Sequence, residues 1–557
     1  MSGLADRRIT QATFDEVVTE NVVEFEMDVK EAIAEAVKQF QSQGVSLANI
    51  DTSGGVGRPE MDAAMEALLS APQGDALNEA LRHLNELCDS THEMGARNRT
   101  LMVTFKGASV LNALHALVAP AQPAESLVLA MKLLKTICKG NVEARDFFEP
   151  NGSLNLVAVV RSPEHAKSTA VINAAFELAR CVAKSENNKY QLMKKGLGEI
   201  IASILGPEAL SGSMTLLLDG GSGEEGERFA KAAVLQNACL TMRGLCIHDD
   251  LRREMSCAMD NGKFFINASN VVPALMQLSA AFKTLPAVAG AALSAAKTLV
   301  TTEEAVQVMA QNGAMSLPCA ILGHPASPSV LVRHLLGLTR NLCADDLRKD
   351  RLVSDGTLEL LVASLSDSER SADAVLVEHG LACLAAMSLR SPSNSVRIMA
   401  TGAAEVLVRC LRRHADKSAV QRQGCLTVRN ISARCPEYRM AFLDAGAEAV
   451  LRAAGRHQAA VDEAYGALRD LGVDVQKVRV TEDGRIEAAY EQFGAATGGG
   501  GKLKFNPIYD DSINLAARVE EEAHAPFEAP SLRPFQQSCG ENDGHNHEHV
   551  HSETCGH

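Results

Sequence analysis

The segment that decides the fold runs from Thr401 to Gly446 and reads TGAAEVLVRCLRRHADKSAVQRQGCLTVRNISARCPEYRMAFLDAG. A Gly-Ala turn opens a short apolar helix, and a polar break at residues 415–418 leads into a longer helix. On the longer helix, apolar or small residues recur at helical spacing and share one face: Val420, Gly424, Val428, Ile431 and Cys435. Pro436 ends that helix, because its ring cannot continue the hydrogen bonding, and a third short helix reaches Asp444. One such unit cannot bury its apolar faces alone, so the sequence predicts copies on either side.

Glycines that open comparable units recur along the chain, at Gly107, Gly152, Gly196, Gly313, Gly356, Gly402 and Gly446. The steps between them are 45, 44, 117, 43, 46 and 44 residues. We interpret the long step as two units plus insert loops near 206–227 and 256–268. A period near 44 residues built from short helices is typical of armadillo or HEAT repeats, and three helices with a Gly-Ala turn favour armadillo. The sequence therefore predicts an all-α, right-handed armadillo-repeat superhelical solenoid.

The distribution of charge divides the chain into parts. Residues 1–62 hold 12 acidic and 5 basic residues, and residues 476–557 hold 14 and 7, whereas the middle is nearly neutral with 43 and 42. We predict an acidic N-terminal helical leader over 1–50, a turn-rich linker over 51–59 and the armadillo array over 60–475. The acidic tail over 476–557 is predicted to be mostly disordered, with a His/Cys-rich end.

Composition excludes several classes of function. The chain has no large basic excess, which disfavours general nucleic-acid binding, and no apolar run near the ~20 residues of a membrane span. Its first residues lack the apolar region of a secretory signal, so the 14 cysteines are expected to be reduced thiols. We therefore expect a protein of the cytoplasm or the nucleus.

Motifs for catalysis are missing from the sequence. The GGGGK run at 498–502 is not a phosphate-binding loop, because Leu503 replaces the required Ser or Thr and Ala496 replaces the first Gly. Neither G-x-S-x-G nor H-E-x-x-H occurs, and the helix-borne histidines are scattered singly. We expect no enzymatic activity and no cofactor in the array.

One stretch resembles a known family. The leader ITQATFDEVVTENVVEFEMDVKEAIAEAVKQFQSQGVSLANI closely resembles the N-terminal segment of the armadillo repeat-containing protein six family, and the repeats with the closing ALRDLG are similar to it. The resemblance covers about residues 8–475 and stops before the tail. It implies a non-enzymatic armadillo solenoid and says little about mechanism.

The third helix of an armadillo unit lines the concave groove, and in this chain those helices repeat a signature of apolar residues around one basic residue. The basic residue lies one helical turn from the core positions, so we expect a row of rungs in the groove: Lys135, Arg243, Arg340, Arg429 and Arg469. Resemblance to peptide-binding armadillo proteins places Asn341 and Asn430 where an amide holds the ligand backbone. The cysteines that end three of these helices are expected to be small core residues: Cys138, Cys246 and Cys343.

These observations predict a protein–protein interaction scaffold that binds an extended or acidic partner segment in the groove. The competing interpretation is that the basic residues pair with neighbouring carboxylates or are simply solvated. A further hypothesis is that an acidic terminus of the chain docks in the groove and competes with the partner. A transport adaptor of the importin type is another alternative, which the incomplete Asn positions and the absence of Trp disfavour.

The last nineteen residues, CGENDGHNHEHVHSETCGH, contain imidazole and thiol groups that suit zinc or copper. The candidate ligands are Cys539, His545, His547, His549, His551, Cys555 and His557. Their spacing matches no standard zinc finger, so weak metal binding through the tail and a plain polar tail both stay open. Asn506–Tyr509 matches the NPxY turn that phosphotyrosine-binding domains recognise, although it also suits a simple anchor of the tail.

Overall fold

The computed structural model describes residues 7–475, 478–480 and 486–488, apart from short gaps at 26, 48–49, 51, 53–57, 71–72, 105–107, 149–151, 219–224, 251 and 269. The array within this range is built from α-helices, which confirms the predicted all-α solenoid. The His/Cys-rich end, the NPxY motif and the GGGGK run lie outside the described residues.

The leader contains two helices, α1 (Gln11–Glu24) and α2 (Val29–Ser42). Short strands flank them, since β1 (Arg7–Arg8) pairs in parallel with β2 (Val45–Ser46). Phe14 and Phe40 pack with their ring centroids 6.0 Å apart, in a hydrophobic cluster separate from that of the array. The leader therefore has a small core of its own.

After the leader, the helices follow one another in sets of three, of which the first set lacks one helix. The sets begin with α3 (Arg58–Ser70), α4 (Gly74–Leu87), α5 (Gly95–Thr104), α6 (Ser109–Leu117), α7 (Ala124–Cys138), α8 (Val142–Phe147), α9 (Gly152–Arg161), α10 (Thr169–Val182), α11 (Glu186–Lys194), α12 (Leu197–Ile204), α13 (Pro207–Leu218), α14 (Glu225–Leu245), α15 (Ala258–Asn267), α16 (Val271–Ala280) and α17 (Pro286–Leu299). They continue with α18 (Glu303–Gln311), α19 (Leu317–Leu322), α20 (Ser329–Leu342), α21 (Asp346–Ser354), α22 (Thr357–Ser366), α23 (Ala374–Ser388), α24 (Pro392–Ala400), α25 (Ala403–Arg413), α26 (Ser418–Ser432), α27 (Arg439–Asp444), α28 (Ala447–Ala454) and α29 (Val461–Asp470). Short 3-10 turns occur at Ala314–Ser316, Arg370–Ala372 and Pro436–Tyr438, and beyond the array β3 (Val478–Val480) pairs antiparallel with β4 (Ile486–Ala488).

The predicted glycine turn joins the first and second helices of a set. Gly402 has φ 74°, a left-handed conformation, and its N–H donates to the Met399 carbonyl at 3.1 Å. This geometry satisfies a free carbonyl at the end of α24 and turns the chain into α25, and glycine adopts it without strain. The same left-handed turn recurs at Gly196, Gly313, Gly356 and Gly446. The glycine spacing therefore reports a repeated helix-ending motif.

The unit at 401–446 folds as predicted, with one difference at a helix end. Residues on one face of α25 and α26 are buried, and Gly424 lets the two helices approach closely. A Cβ added there would lie 2.9 Å from Leu411 Cγ. The helix α26 ends at Ser432 rather than at Pro436, which instead begins a 3-10 turn.

Neighbouring sets are also joined by buried lysines of their first helices. Lys349 of α21 donates to the Leu389 carbonyl just beyond the end of α23 at 2.7 Å and pairs with Asp346 at 2.6 Å. Lys189 of α11 does the same at the end of α14, where it contacts the Ile247 carbonyl. A cation at the carbonyl end of a helix satisfies unpaired acceptors and complements the helix dipole. Each third helix is thus held at its end by a first helix.

The predicted insert loops near 206–227 and 256–268 are wrong, because the described residues there are largely helical. The helix α13 occupies 207–218, and it buries Leu210, Met214 and Leu217 against the core. The helix α15 is the first helix of the next set and buries Phe265. The Gly-rich run that suggested a loop covers only the end of the first segment, and the polar residues of the second lie on a solvent-facing side.

Candidate partner-binding face

The third helices form a row through the array, in which each contacts the next: α4, α7, α10, α14, α17, α20, α23, α26 and α29. We call them the ladder helices. Near its C-terminal end each one carries two buried residues three apart, such as Leu134 and Ile137. The residue directly after the first of these is the rung position. The rung residues in chain order are Asn85, Lys135, Arg180, Arg243, Lys297, Arg340, Ala385, Arg429 and Arg469.

Two rungs, Arg180 and Lys297, were missed in the sequence analysis, although both are half-buried at the rung position. Their helices lack the terminal Cys that marked the repeated signature. The spacing alone would have found them, because Arg180 follows Lys135 by 45 residues and Arg340 follows Lys297 by 43. The basic row is therefore longer than predicted.

Lys135 is paired with a carboxylate of the next ladder helix. Its Nζ lies 2.6 Å from Glu177 Oε2, and both side chains are about one third exposed, at 34% and 35%. The pair joins α7 to α10 and largely neutralises this rung. At Lys135 the structure matches the competing interpretation, in which a basic rung is balanced inside the protein.

The C-terminal rungs also face carboxylates. Arg469 Nη2 lies 2.7 Å from Asp470 Oδ1, and Arg429 Nε lies 3.9 Å from Oδ2 of the same residue. Arg422, earlier on α26, pairs with Glu463 at 2.8 Å. Within the described residues, α26 and α29 carry three cations and three carboxylates, which the text below calls the terminal segment. Its net charge is zero.

Arg243 is buried, with only 2% of its surface exposed, whereas we expected a rung near the groove surface. It lies at the end of α14, among residues that are themselves fully buried. Direct contact between a partner and this guanidinium is not available in this conformation. Arg243 therefore contributes its positive charge to the surroundings rather than a surface donor.

Arg340 differs from the other predicted rungs. It is half-buried, and among the described residues no carboxylate lies within the 4.0 Å of an ion pair. Burial lowers its pKa, while Glu378 on the neighbouring helix acts from farther away to raise it. The stem of Lys297 lies across α20 one turn before Arg340, since a Cβ on Gly337 would lie 3.3 Å from Lys297 Cγ. The two cations are thus neighbours on the ladder face.

Two histidines, His334 of α20 and His379 of α23, lie beside these cations. Both are more than nine-tenths buried, and His379 Nδ1 lies 3.0 Å from the Arg333 carbonyl. Burial, reinforced by Lys297 and other nearby cations, lowers the pKa of His379 to about 3 and that of His334 well below its usual value. Although the sequence suggested scattered single histidines, these two lie together on adjacent ladder helices and are neutral at pH 7.

The same two histidines show which charges lie close together. Lys297 and Arg333 act on both imidazoles, Arg243 acts on His334, and Arg340 acts on His379. We call the central cluster the set of charged residues on α17, α20, α23 and the end of α14: Arg243, Lys297, Arg333, Arg340, Asp373 and Glu378. Four cations face two carboxylates in this fully described part of the ladder, so its net charge is about +2.

The two predicted peptide-holding amides make contacts inside the array. Asn341 Nδ2 donates to the Val300 carbonyl at 3.5 Å, and Asn430 Nδ2 donates to the Ala385 carbonyl at 3.0 Å. Each bond reaches the preceding ladder helix. Cys181, at the same position of α10, likewise donates to the Lys135 carbonyl. This position therefore joins neighbouring helices, and the expected role in holding a ligand backbone stays a prediction.

The remaining sequence expectations can be placed briefly. The terminal cysteines of the ladder helices are buried as predicted, and burial raises the pKa of Cys343 to about 12. Within the described ranges, no cluster of three or more His, Cys, Asp or Glu side chains is arranged to hold a metal ion. In the same ranges no single helix has the length and apolarity to cross a membrane; α12 and residues 207–217 meet that test only jointly, across a 51° bend.

Comparison with known proteins identifies the family. Residues 6–66 match the family model described as "Armadillo repeat-containing protein 6 N-terminal domain". "Armadillo repeat-containing protein 6" of Pongo abelii is 28% identical over 413 residues, which covers 70% of this chain and 76% of that protein. The protein of the same name from Homo sapiens is 26% identical over 409 residues, with the same coverage. The chain belongs to the armadillo repeat-containing protein 6 family.

Membership of the armadillo repeat-containing protein 6 family agrees with the resemblance seen in the leader, since the matched residues 6–66 contain α1 and α2. Among solved structures, the crystal structure of an engineered protein has a TM-score of 0.54 at 18% identity and covers 84% of this chain and 100% of its own. At that identity the likeness shows the fold alone. The family and the solenoid fold together support a protein-interaction scaffold.

Proposed function

We propose that the protein binds an acidic, extended segment of a partner protein along the ladder face, with the central cluster as the main contact, and that it catalyses no reaction. The observation that carries this proposal is the net charge of about +2 in the central cluster, where Arg340 has no ion-pair partner among the described residues. A half-buried cation is poorly hydrated, so an incoming carboxylate gains more there than at an exposed ion pair.

The arrangement of the ladder helices suits an extended ligand. Adjacent packed helices lie about 8–10 Å apart, and an extended chain advances about 3.3 Å per residue. A segment of about twelve residues would therefore cross about four ladder helices. Such a segment can contact Lys297 and Arg340 together, because the two side chains lie one helical turn apart on α20.

The test uses the full chain and a fluorescein-labelled Glu-rich peptide of about twelve residues, with a Lys-rich peptide for comparison. Fluorescence polarisation at about 50 and about 200 mM salt should show binding of the Glu-rich peptide that weakens with salt. The double variant Lys297→Glu/Arg340→Glu should lose at least about tenfold in affinity, because it replaces attraction with repulsion.

The matched control is Arg409→Glu/Arg412→Glu, which makes the same change of net charge on two exposed residues of α25, a second helix. It should bind the peptide nearly as tightly as the unmodified chain. Equal losses in the two double variants would show that net charge, rather than the ladder face, determines binding. That result would contradict the proposal.

The hypothesis that an acidic terminus competes with the partner is tested in the same assay. A chain that ends at Val475 lacks the acidic tail, so its affinity for the Glu-rich peptide should rise at low salt. Unchanged affinity and unchanged salt dependence would leave partner binding in place and remove the competing tail.

A further inference from the structure

The central cluster contains more positive charge than a single carboxylate can balance. Its four cations face two carboxylates, which leaves about two positive charges on four neighbouring and fully described ladder segments. One Asp or Glu of a bound segment would supply one negative charge. A group that carries two negative charges on one atom centre would balance the cluster completely.

The charge of the cluster is constant over the physiological pH range. Its cations are arginines and a lysine, and the two adjacent histidines are neutral because burial and the surrounding cations lower their pKa. Arginine offers five N–H donors in a planar fork, which matches the oxygens of a phosphoryl group in bidentate contact. Lysine adds a compact charge with three donors.

Accessibility within the cluster points to two of the four cations. Arg243 is only 2% exposed, and Arg333 is engaged by Asp373 at 2.5 Å. Lys297 and Arg340 are both half-buried, so each keeps part of its surface open to a ligand. Burial already lowers the pKa of Arg340, which means that its charged form is incompletely solvated. An anion bound here would offset that cost.

We propose that the central cluster binds a phosphorylated serine or threonine of the partner segment, with Arg340 and Lys297 contacting the phosphoryl oxygens. A phosphorylated side chain carries about −1.5 to −2 charges at pH 7 and three strong acceptor oxygens. Arg243 and Arg333 supply further positive charge from behind the contact. This inference rests on the proposed function, because it names the chemistry of the residue that the same face binds.

The rest of the ladder explains why one phosphorylated residue is expected rather than several. On one side of the central cluster the rung is Ala385, which has no charge. Beyond it, the terminal segment balances its three cations with three carboxylates. On the other side, Glu177 already neutralises Lys135. Only the central cluster of the described ladder therefore combines excess charge with open donors.

The experiment compares three peptides of one Glu-rich sequence that carry serine, glutamate or phosphoserine at the central position. Fluorescence polarisation with the full chain should show that the phosphoserine peptide binds about tenfold more tightly than the glutamate peptide. In Lys297→Gln/Arg340→Gln this preference should fall to about twofold or less. The matched variant Arg429→Gln/Arg469→Gln, which removes the same charge from the terminal segment, should keep it.

Two additional measurements guard the interpretation. Thermal unfolding shows whether each variant is folded, and Arg340→Lys, which keeps the charge but loses the planar fork, should show an intermediate preference. Vesicles that contain phosphatidylinositol phosphates test the other source of phosphoryl groups. Co-sedimentation that depends on Lys297 and Arg340, without any preference for the phosphoserine peptide, would overturn the proposal in favour of a membrane surface.

The outcomes separate this inference from the proposed function. If the glutamate and phosphoserine peptides bind equally, the phosphoryl preference is wrong and the acidic-segment face stands. If no peptide binds, both are wrong. A tenfold preference that persists in the Lys297→Gln/Arg340→Gln chain would overturn the assignment to the central cluster.

Discussion

The central cluster and the terminal segment are built from the same helix signature, yet they differ in charge. In α20 the rung Arg340 is followed by Asn341, whose amide is used to bond the preceding helix. In α29 the rung Arg469 is followed by Asp470, which neutralises Arg469 and also lies 3.9 Å from Arg429. One residue after the rung thus changes two cations from available to balanced. The difference teaches that a rung is defined by its neighbours rather than by its own side chain.

The largest expected effect is a direct contrast between the two regions. Arg340→Glu should lower the affinity for the Glu-rich peptide by at least about tenfold, because it places a carboxylate among half-buried cations. Arg469→Glu makes the same charge change beside Asp470 and should alter affinity by about twofold or less. Fluorescence polarisation of the two chains at equal salt measures the contrast. Comparable losses would remove the distinction between the regions.

The second contrast concerns acid stability, because the central helices bury histidines where α26 has Gln423, six residues before its rung. A histidine whose folded pKa is depressed stays neutral in the folded chain, while the unfolded chain takes up a proton below about pH 6.5. Its contribution to stability is therefore complete above pH 6.5 and is lost as pH falls toward the folded pKa of about 3. At pH 5 each such histidine should cost the folded state about 2 kcal/mol.

The substitution His379→Gln tests this sign. Urea unfolding at pH 7.5 and pH 5 should show a smaller acid-induced loss in the free energy of unfolding for the variant than for the unmodified chain, by about 2 kcal/mol. The exposed His83 of α4 provides the control, and His83→Gln should leave the loss unchanged. An identical acid-induced loss in all three chains would show that His379 is not held neutral by its surroundings.

The third change converts the terminal segment toward the central one. Asp470→Asn keeps the shape of the side chain and removes the charge that balances Arg429 and Arg469. The affinity for the Glu-rich peptide should rise by about threefold, and the rise should disappear at high salt. Asp444→Asn, an equal charge change on the exposed surface of a first helix, is the control. A similar rise in the control would attribute the gain to net charge alone.

The smallest effect is expected at the N-terminal side of the ladder. Glu177→Gln releases Lys135 from its ion pair between α7 and α10, and the Glu-rich peptide should bind about twofold more tightly. The gain is small because Lys135 is a single, partly exposed cation far from the central cluster in the row. Glu199→Gln on the second helix α12 serves as the matched control. No gain in either variant would place Lys135 outside the binding face.

Much of the fold could be predicted because it rests on local rules. A left-handed turn needs glycine, so the spacing of Gly196, Gly313, Gly356, Gly402 and Gly446 marks real repeats. The period of apolar residues identifies the buried face of each ladder helix without knowledge of its neighbours. The insert loops were predicted wrongly because a Gly-rich run was weighted above the apolar residues of α13 and α15, which tertiary packing turns inward.

The candidate site was predicted only in part, for a different reason. Spacing located the basic rungs, but it did not show which were balanced, since Lys135 and Glu177 are 42 residues apart in the chain. Likewise, the clustering of Lys297, His334 and His379 arises from three separate helices. Such encounters depend on how the helices stack, and one-dimensional periodicity contains no information about them.

The sequence by itself determined the all-α repeat, its period near 44 residues, the glycine turns and the family, because each depends on backbone conformation and local patterning. Only the tertiary structure decided that Arg243 is buried, that Asn341 and Asn430 join neighbouring helices, and that positive charge is concentrated at the centre of the ladder. The physical reason is that burial and Coulomb interactions depend on distances between helices. In a repeat array those distances join residues about one repeat apart, so the same signature becomes an open cation in one unit and an internal ion pair in another.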